Sequence, residues 1–292
     1  MTPPDVLVRI TENRRQRVAS EVGANGVAVD LADGSPRTPA DNAFLGALAA
    51  RKRQGVPAVI AEVKMGSPRL GNLHGRIDPI AQAKLYAANG AACLSVVVEP
   101  DFFHGGYDLL AACREASGLP AIAKDFLVDP IQLVWAKEAG AAAVLLVAAM
   151  LGAEQMAEYA RLARGLGLVP LVETHDAADI GKLQGEPWEL VGINNRNLRT
   201  FDVDLQNSIS LLPGLPAEAF KVAESGIRDA LDVLLLRDSG FDAFLIGESL
   251  LLAPDPAAKL QELVGGSPSP GGRGGDGRGG QGVRFPGGGT LG

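Results

Sequence analysis

Two lysines and several glutamates sit at the ends of short apolar runs that recur along this 292-residue chain. Lys64 closes the run Val59–Lys64, and Lys124 lies in Ala121–Phe126. Glu99 follows Leu94–Val98, Glu173 ends Val169–Glu173, and Glu224 follows Val222-Ala223. Asn194 holds the matching place in Val191–Arg196, as Gly247-Glu248 does in Phe244–Ser249. An eighth run, Ala142–Ala149, is apolar with no charged end. Alternate side chains of a strand share a face, so Glu62 and Lys64 point the same way. One such pair is as readily a structural ion pair as a reactive one. Five charges, Glu62, Lys64, Lys124, Glu173 and Glu224, directed into one space are costly to desolvate for stability alone. Their convergence favours an active site.

Something must bring these ends together. The landmarks Glu62, Glu99, Lys124, Val147, Glu173, Asn194, Glu224 and Gly247 recur on average about every 26 residues, the size of a strand–helix unit. Helical patterns fill the gaps at Pro79–Asn89, Pro130–Ala139 and Ala153–Leu166, two of them opened by proline. Alternating strands and helices imply a parallel sheet, and eight repeats favour closure into a (β/α)8 barrel. In that fold chemistry sits at the C-terminal ends of the strands, where these residues fall. No G-x-G-x-x-G follows the first strand, which weakens an open dinucleotide-binding sheet.

The barrel is expected over residues 58–264 as one domain. Residues 1–57 read as a helical extension packed on it. A first helix starts near Thr2-Pro3-Pro4-Asp5 and carries Val6, Ile10 and Val18 on an otherwise charged segment. After the proline-rich stretch Ser35–Pro39, a second helix is capped by Asp41 and turns Phe44, Leu45, Leu48 and Ala49 to one face. Residues 265–292 hold 14 glycines in 28 positions, too little apolar material to offset ordering, so this tail is expected to be disordered. Its Arg-Gly-Gly triplets at Arg273 and Arg278 have an RNA-binding alternative. The tail's charge of only +2, three arginines less Asp276, favours a solvated extension.

A net charge of −7 argues against a nucleic-acid surface over the whole chain. Cys93 and Cys113 read as small core residues rather than a disulfide. No run reaches the roughly 18 apolar residues of a membrane span, and the first residues lack a signal-peptide core. A soluble, cytoplasmic monomer is the expectation. His74, His104 and His175 each follow a strand, but without paired-ligand spacing, so no metal is expected.

The ordered motifs resemble those of the indole-3-glycerol phosphate synthase family of (β/α)8 enzymes. The match runs from about Val6 to Leu252. It rests on Glu62–Pro68, Leu94–Gly106, Lys124–Leu133, Leu171–His175, Val191–Phe201, Glu224–Ile227 and Phe244–Leu251. Met65 stands where the family commonly has a second basic residue, Arg69-Leu70-Gly71 where it has Ser-Lys-Gly, and Val98 where it has Thr. The resemblance implies closure of a phosphorylated anilino-ketose to an indole, with loss of carbon dioxide and water and no cofactor. It implies Lys124 as the acid for the ketone oxygen. Lys64 would hold the substrate carboxylate and later protonate the departing hydroxyl, Glu173 would stabilise positive charge on the ring nitrogen or take the proton, and Glu62 would orient the lysines and assist dehydration. Asn194, Glu224 and Ser225 would bind sugar hydroxyls and steady the lysines. Gly226, Gly247 and Glu248 would offer backbone to the phosphate, with Ser67 and Arg196 adding side chains. Phe102, Phe103, Phe126 and Leu245 are the candidates for an apolar wall against the anilino ring. A Schiff-base lysine, Lys124 or Lys64, of an aldolase-type barrel stays open as an alternative.

Overall fold

The computed structural model describes residues 5–22, 34–68, 70–197 and 202–265. The eight apolar runs form strands β1 (Ala58–Val63), β2 (Cys93–Val97), β3 (Ala121–Lys124), β4 (Ala143–Val147), β5 (Val169–Thr174), β6 (Leu190–Asn194), β7 (Phe220–Glu224) and β8 (Ala243–Ile246). Each pairs in parallel with its sequence neighbours, and β1 also pairs with β8, closing the barrel. Both faces of these strands are covered, which is why they read as continuous apolar runs. In β1 the residues Val59, Ala61 and Val63 face the helices, while Ala58 and Ile60 fill the barrel. Glu62 takes the next inward place, at the top. The same two-residue period turns Lys124, Glu173, Asn194 and Glu224 inward above Ile122, Leu171, Leu190 and Val222.

Helix α1 (Asp5–Val22) lies across the top and α2 (Ala43–Gln54) plugs the bottom. Phe44, Leu45 and Leu48 of α2 pack into the lower barrel layer. The cap of α2 is Asn42, not Asp41. Asn42 Oδ1 accepts from the Phe44 and Leu45 N–H groups, and its amide donates to the Ala142 and Gly167 carbonyls. Asp41 instead accepts from the Thr38 N–H. A side chain that both caps the helix and bonds the barrel floor does more here than a carboxylate, which has no donor. In α1, Leu7, Ile10 and Val18 are buried. Its expected start at residues 2–4 lies outside the described residues.

The outer layer is α3 (Pro79–Ala88), α4 (Tyr107–Ser117), α5 (Ile131–Glu138), α6 (Ala153–Gly165), α7 (Ala177–Gly181), α8 (Leu205–Leu211), α9 (Ala230–Ser239), α10 (Glu248–Leu251) and α11 (Pro256–Gly265). Gly265 therefore ends a helix, and the rest of the glycine-rich tail, with Arg273 and Arg278, lies outside the described residues. Cys93 and Cys113 are buried and free. Among the described residues, no helix is long and apolar enough to cross a membrane.

Candidate active site

A cavity of about 840 Å³ opens at the C-terminal ends of the strands. Lys124 stands within it, its Nζ 3.4 Å from Glu224 Oε2, 3.6 Å from Glu62 Oε2 and 3.8 Å from Glu173 Oε2. Lys64 Nζ donates to Glu62 Oε1 at 2.8 Å. Glu62 thus bridges the two lysines with one oxygen each. Burial works against the Glu62 charge, yet the two ammoniums prevail and hold its carboxyl down at about 2. Burial likewise opposes charge on Lys124, but Glu224, Glu62 and Glu173 outweigh it and hold the ammonium above the ordinary lysine range. Glu224 behaves differently. Burial, reinforced by Glu173, pushes its carboxyl up to about 8 against the pull of Lys124. Three carboxylates around one ammonium repel one another, and the most enclosed of them is the easiest to protonate.

Two glycines make room for these groups. A Cβ on Gly192 would collide with the Glu224 carboxylate, and one on Gly247 with that of Glu62. Beside them Ser225 and Gly226 take consecutive positive φ values of 66° and 79°, turning the chain sharply after β7. Asn195, which was not singled out from sequence, fixes that turn: its amide donates to the Glu224 and Ser225 carbonyls, and its Oδ1 accepts from Ser208. The Asn194 Oδ1 accepts from the Arg196 N–H, and the Arg196 guanidinium pairs with Glu248 at 3.2 Å.

Glu62, Lys64, Ser67, Phe103, Lys124, Phe126, Glu173, Asn194, Arg196, Ser225, Gly226, Leu245, Gly247 and Glu248 all line the cavity. Glu224 is fully buried behind Lys124 rather than on the wall. Phe102 does not line it; the aromatic side is built by Phe103 and Phe126, with ring centroids 5.9 Å apart. Glu99, although it too ends an apolar run, turns away: its carboxylate accepts from the N–H groups of Asp101, Phe102 and Phe103 and shapes their loop. Met65 and Val98, just past the ends of β1 and β2, are buried, each 1% exposed. Arg69 lies outside the described residues. The histidines are dispersed: His74 meets His104 edge-on, whereas His175 sits between Glu173 and Asp179.

The first helix closes the upper wall with Val6, Leu7 and Ile10. It is held by Arg14, which grips Asp125 through Nε and Nη2, the shortest contact being 2.7 Å. Tyr107 and Gln132 also donate to that carboxylate. Asp125 follows Lys124 directly, so this buried ion pair links the first helix to the strand end that carries the central lysine.

The family model for indole-3-glycerol phosphate synthase matches residues 7–263. A curated relative of that name from Azoarcus sp. (strain BH72) is 44% identical over 263 residues, covering 89% of this chain and 99% of the relative. Another, from Polaromonas sp. (strain JS666 / ATCC BAA-500), is 42% identical over 261 residues, covering 89% and 98%. Among solved structures, 3-hexulose-6-phosphate synthase from Salmonella typhimurium matches with a TM-score of 0.57 at 14% identity, covering 72% of this chain and 97% of that one, a likeness of fold alone. With this extent of match along the whole barrel, the chain belongs to the indole-3-glycerol phosphate synthase family.

Proposed function

We propose that this cavity closes the indole ring of 1-(2-carboxyphenylamino)-1-deoxyribulose 5-phosphate, with Lys124 as the general acid. The family is one of carboxy-lyases of tryptophan biosynthesis, and the observation that carries the assignment is Lys124 held among three carboxylates at the cavity floor. An ammonium kept charged throughout the neutral range can give its proton to the ketone oxygen as the carbonyl carbon is attacked by the ring carbon bearing the carboxylate. The new carbon–carbon bond places positive charge on the anilino nitrogen, opposite which Glu173 stands as counter-ion and proton acceptor. Carbon dioxide then leaves, its bonding electrons restoring the ring. Lys64 holds the substrate carboxylate through closure and protonates the departing hydroxyl, which leaves as water as the methylene carbon beside the nitrogen gives a proton to Glu173 and the indole double bond forms. Glu62 orients both lysines; Asn194, Glu224 and Ser225 position the sugar hydroxyls and Lys124.

The phosphate is read as lying against the backbone of Ser225-Gly226 and Gly247-Glu248, the ends of β7 and β8 where barrels commonly hold phosphate. Ser67 and Arg196 complete that end. Phe103, Phe126 and Leu245 receive the anilino ring, and Phe102 is assigned to the loop behind them. The reaction as written calls for no cofactor, and we read the chain as a cytoplasmic monomer whose barrel spans 58–264 with 1–57 as its helical extension. The Schiff-base alternative requires a neutral lysine, which the three carboxylates around Lys124 oppose. Mixing the protein with the anilino-ketose phosphate is expected to give indole fluorescence and carbon dioxide in equal amounts. A folded sample giving neither, or a ketose phosphate trapped on Lys124 by borohydride, would reject the assignment.

A further inference from the structure

We infer that His175 is a positioning residue for Glu173, set between that carboxylate and Asp179 so that Glu173 is aimed at the reacting nitrogen. The inference rests on the reading of Glu173 given above. Glu173 is the fifth residue of β5, and the two-residue period puts His175, just past the strand end, on the same side. Its Nε2 lies 3.4 Å from Glu173 Oε1 and its Nδ1 3.6 Å from Asp179 Oδ2. The ring is 12% exposed and does not line the cavity, so it acts through Glu173 rather than on substrate.

Buried polar nitrogens are normally hydrogen-bonded. Both nitrogens here are buried without a closed hydrogen bond, and both look at carboxylates. Asp179 is itself rigidly held. It accepts from the His175 N–H and from Lys182 Nζ at 3.1 Å, while Lys182 also donates to the Ala148 carbonyl at the end of β4. The groups that face the ring are Glu173 on its own strand, Asp179 on α7 and Glu224 on β7. Lys182 lies beyond Asp179, and Lys124 beyond Glu173. Burial alone would lower the imidazole, but Asp179, Glu173 and Glu224 together raise it. When protonated, the His175 ring on the far side of Glu173 from Lys124 divides the carboxylate between two cations. One Glu173 oxygen is turned toward each.

The test is the pH profile of kcat for the wild type, His175→Gln, Asp179→Asn and Glu173→Gln. Removing a cation beside a carboxylate raises the pH at which that carboxylate loses its proton. For His175→Gln the expected result is a fall in kcat of about tenfold, KM within about twofold, and an acid limb displaced upward by about one pH unit. Asp179→Asn is expected to shift the limb less, in the same direction, and supplies the answer should His175→Gln not fold. An acid limb that stays in place in the folded variants, whatever their thermal stability, overturns the inference. Glu173→Gln separates the two levels. If it turns over as the wild type does, the role given to Glu173 fails; if it collapses while His175→Gln behaves as wild type, only the role of His175 fails.

Discussion

Two clusters of buried charge in this barrel are built on opposite plans. At the bottom, Arg164 of α6 is 1% exposed and meets Glu189 through Nε at 3.0 Å and Nη2 at 2.9 Å. The same guanidinium also pairs with Glu186 and donates to the Pro187 carbonyl. Every direction of that guanidinium is spoken for at close range. At the top, Lys124 keeps three carboxylates at 3.4 to 3.8 Å, and its side chain remains 20% exposed to the cavity. A charge held for structure is saturated, because an unmet buried donor costs free energy. A charge held for chemistry is surrounded loosely and left with a free direction, which the substrate completes. The Arg14–Asp125 pair follows the first plan although it lies at the top, one residue from Lys124.

The contrast can be broken by exchanging the consequences of mutation. Lys124→Ala is expected to cost at least about a hundredfold in kcat, the range for removing a general acid; near-wild-type turnover would place Lys124 among the structural charges. Arg164→Met is expected to do the reverse. Chemical denaturation should show a loss of about 3–5 kcal/mol, the cost of leaving buried carboxylates without their cation, while kcat stays within about twofold. Gly247→Ala probes the room that Glu62 needs. The added methyl displaces that carboxylate, and a fall in kcat of about tenfold is expected from the disturbed lysine geometry, read at saturating substrate.

Glu224→Gln sharpens the same contrast through pH. The Glu224 carboxyl is raised from an ordinary 4.5 to about 8 on folding. Between those values the native chain holds more protons than the unfolded one, so this group's stabilising contribution is full below about 4.5 and declines as pH rises toward 8. Glutamine carries no such slope. Melting temperatures of the variant measured against wild type are therefore expected to improve by a few degrees from pH 5 to pH 8; a constant difference would mean that Glu224 is ionised throughout.

The strands were legible because parallel barrel strands are apolar on both faces and their inward period ends on a polar residue at the top. Val169–Glu173 shows both signals at once. Ala142–Ala149 lacked the second, and in the structure Val147 adds only an apolar wall. The central residues were legible through motif and period together. What escaped had partners far along the chain. Arg14 sits on a helix where Arg9, Glu12, Arg15, Arg17 and Glu21 are exposed, and its partner is 111 residues away. Asn195 points away from the cavity, next to Asn194, and its work is to tie one loop to another. Phe102 and Phe103 are adjacent in a loop, where no fixed period says which ring turns inward. Asp41 and Asn42 are both good caps by type, and only the floor carbonyls of Ala142 and Gly167 distinguish them.

The most direct measurement is a crystal structure of the protein with indole-3-glycerol phosphate bound. The expected result is a single ligand in the cavity with the Lys64 and Lys124 ammoniums and the Glu173 carboxylate all within about 3.5 Å of it, and its phosphate against Ser225-Gly226. A ligand seated elsewhere, or one that leaves Lys124 enclosed by Glu62, Glu173 and Glu224 without touching it, would contradict the assignment of the rim charges to catalysis.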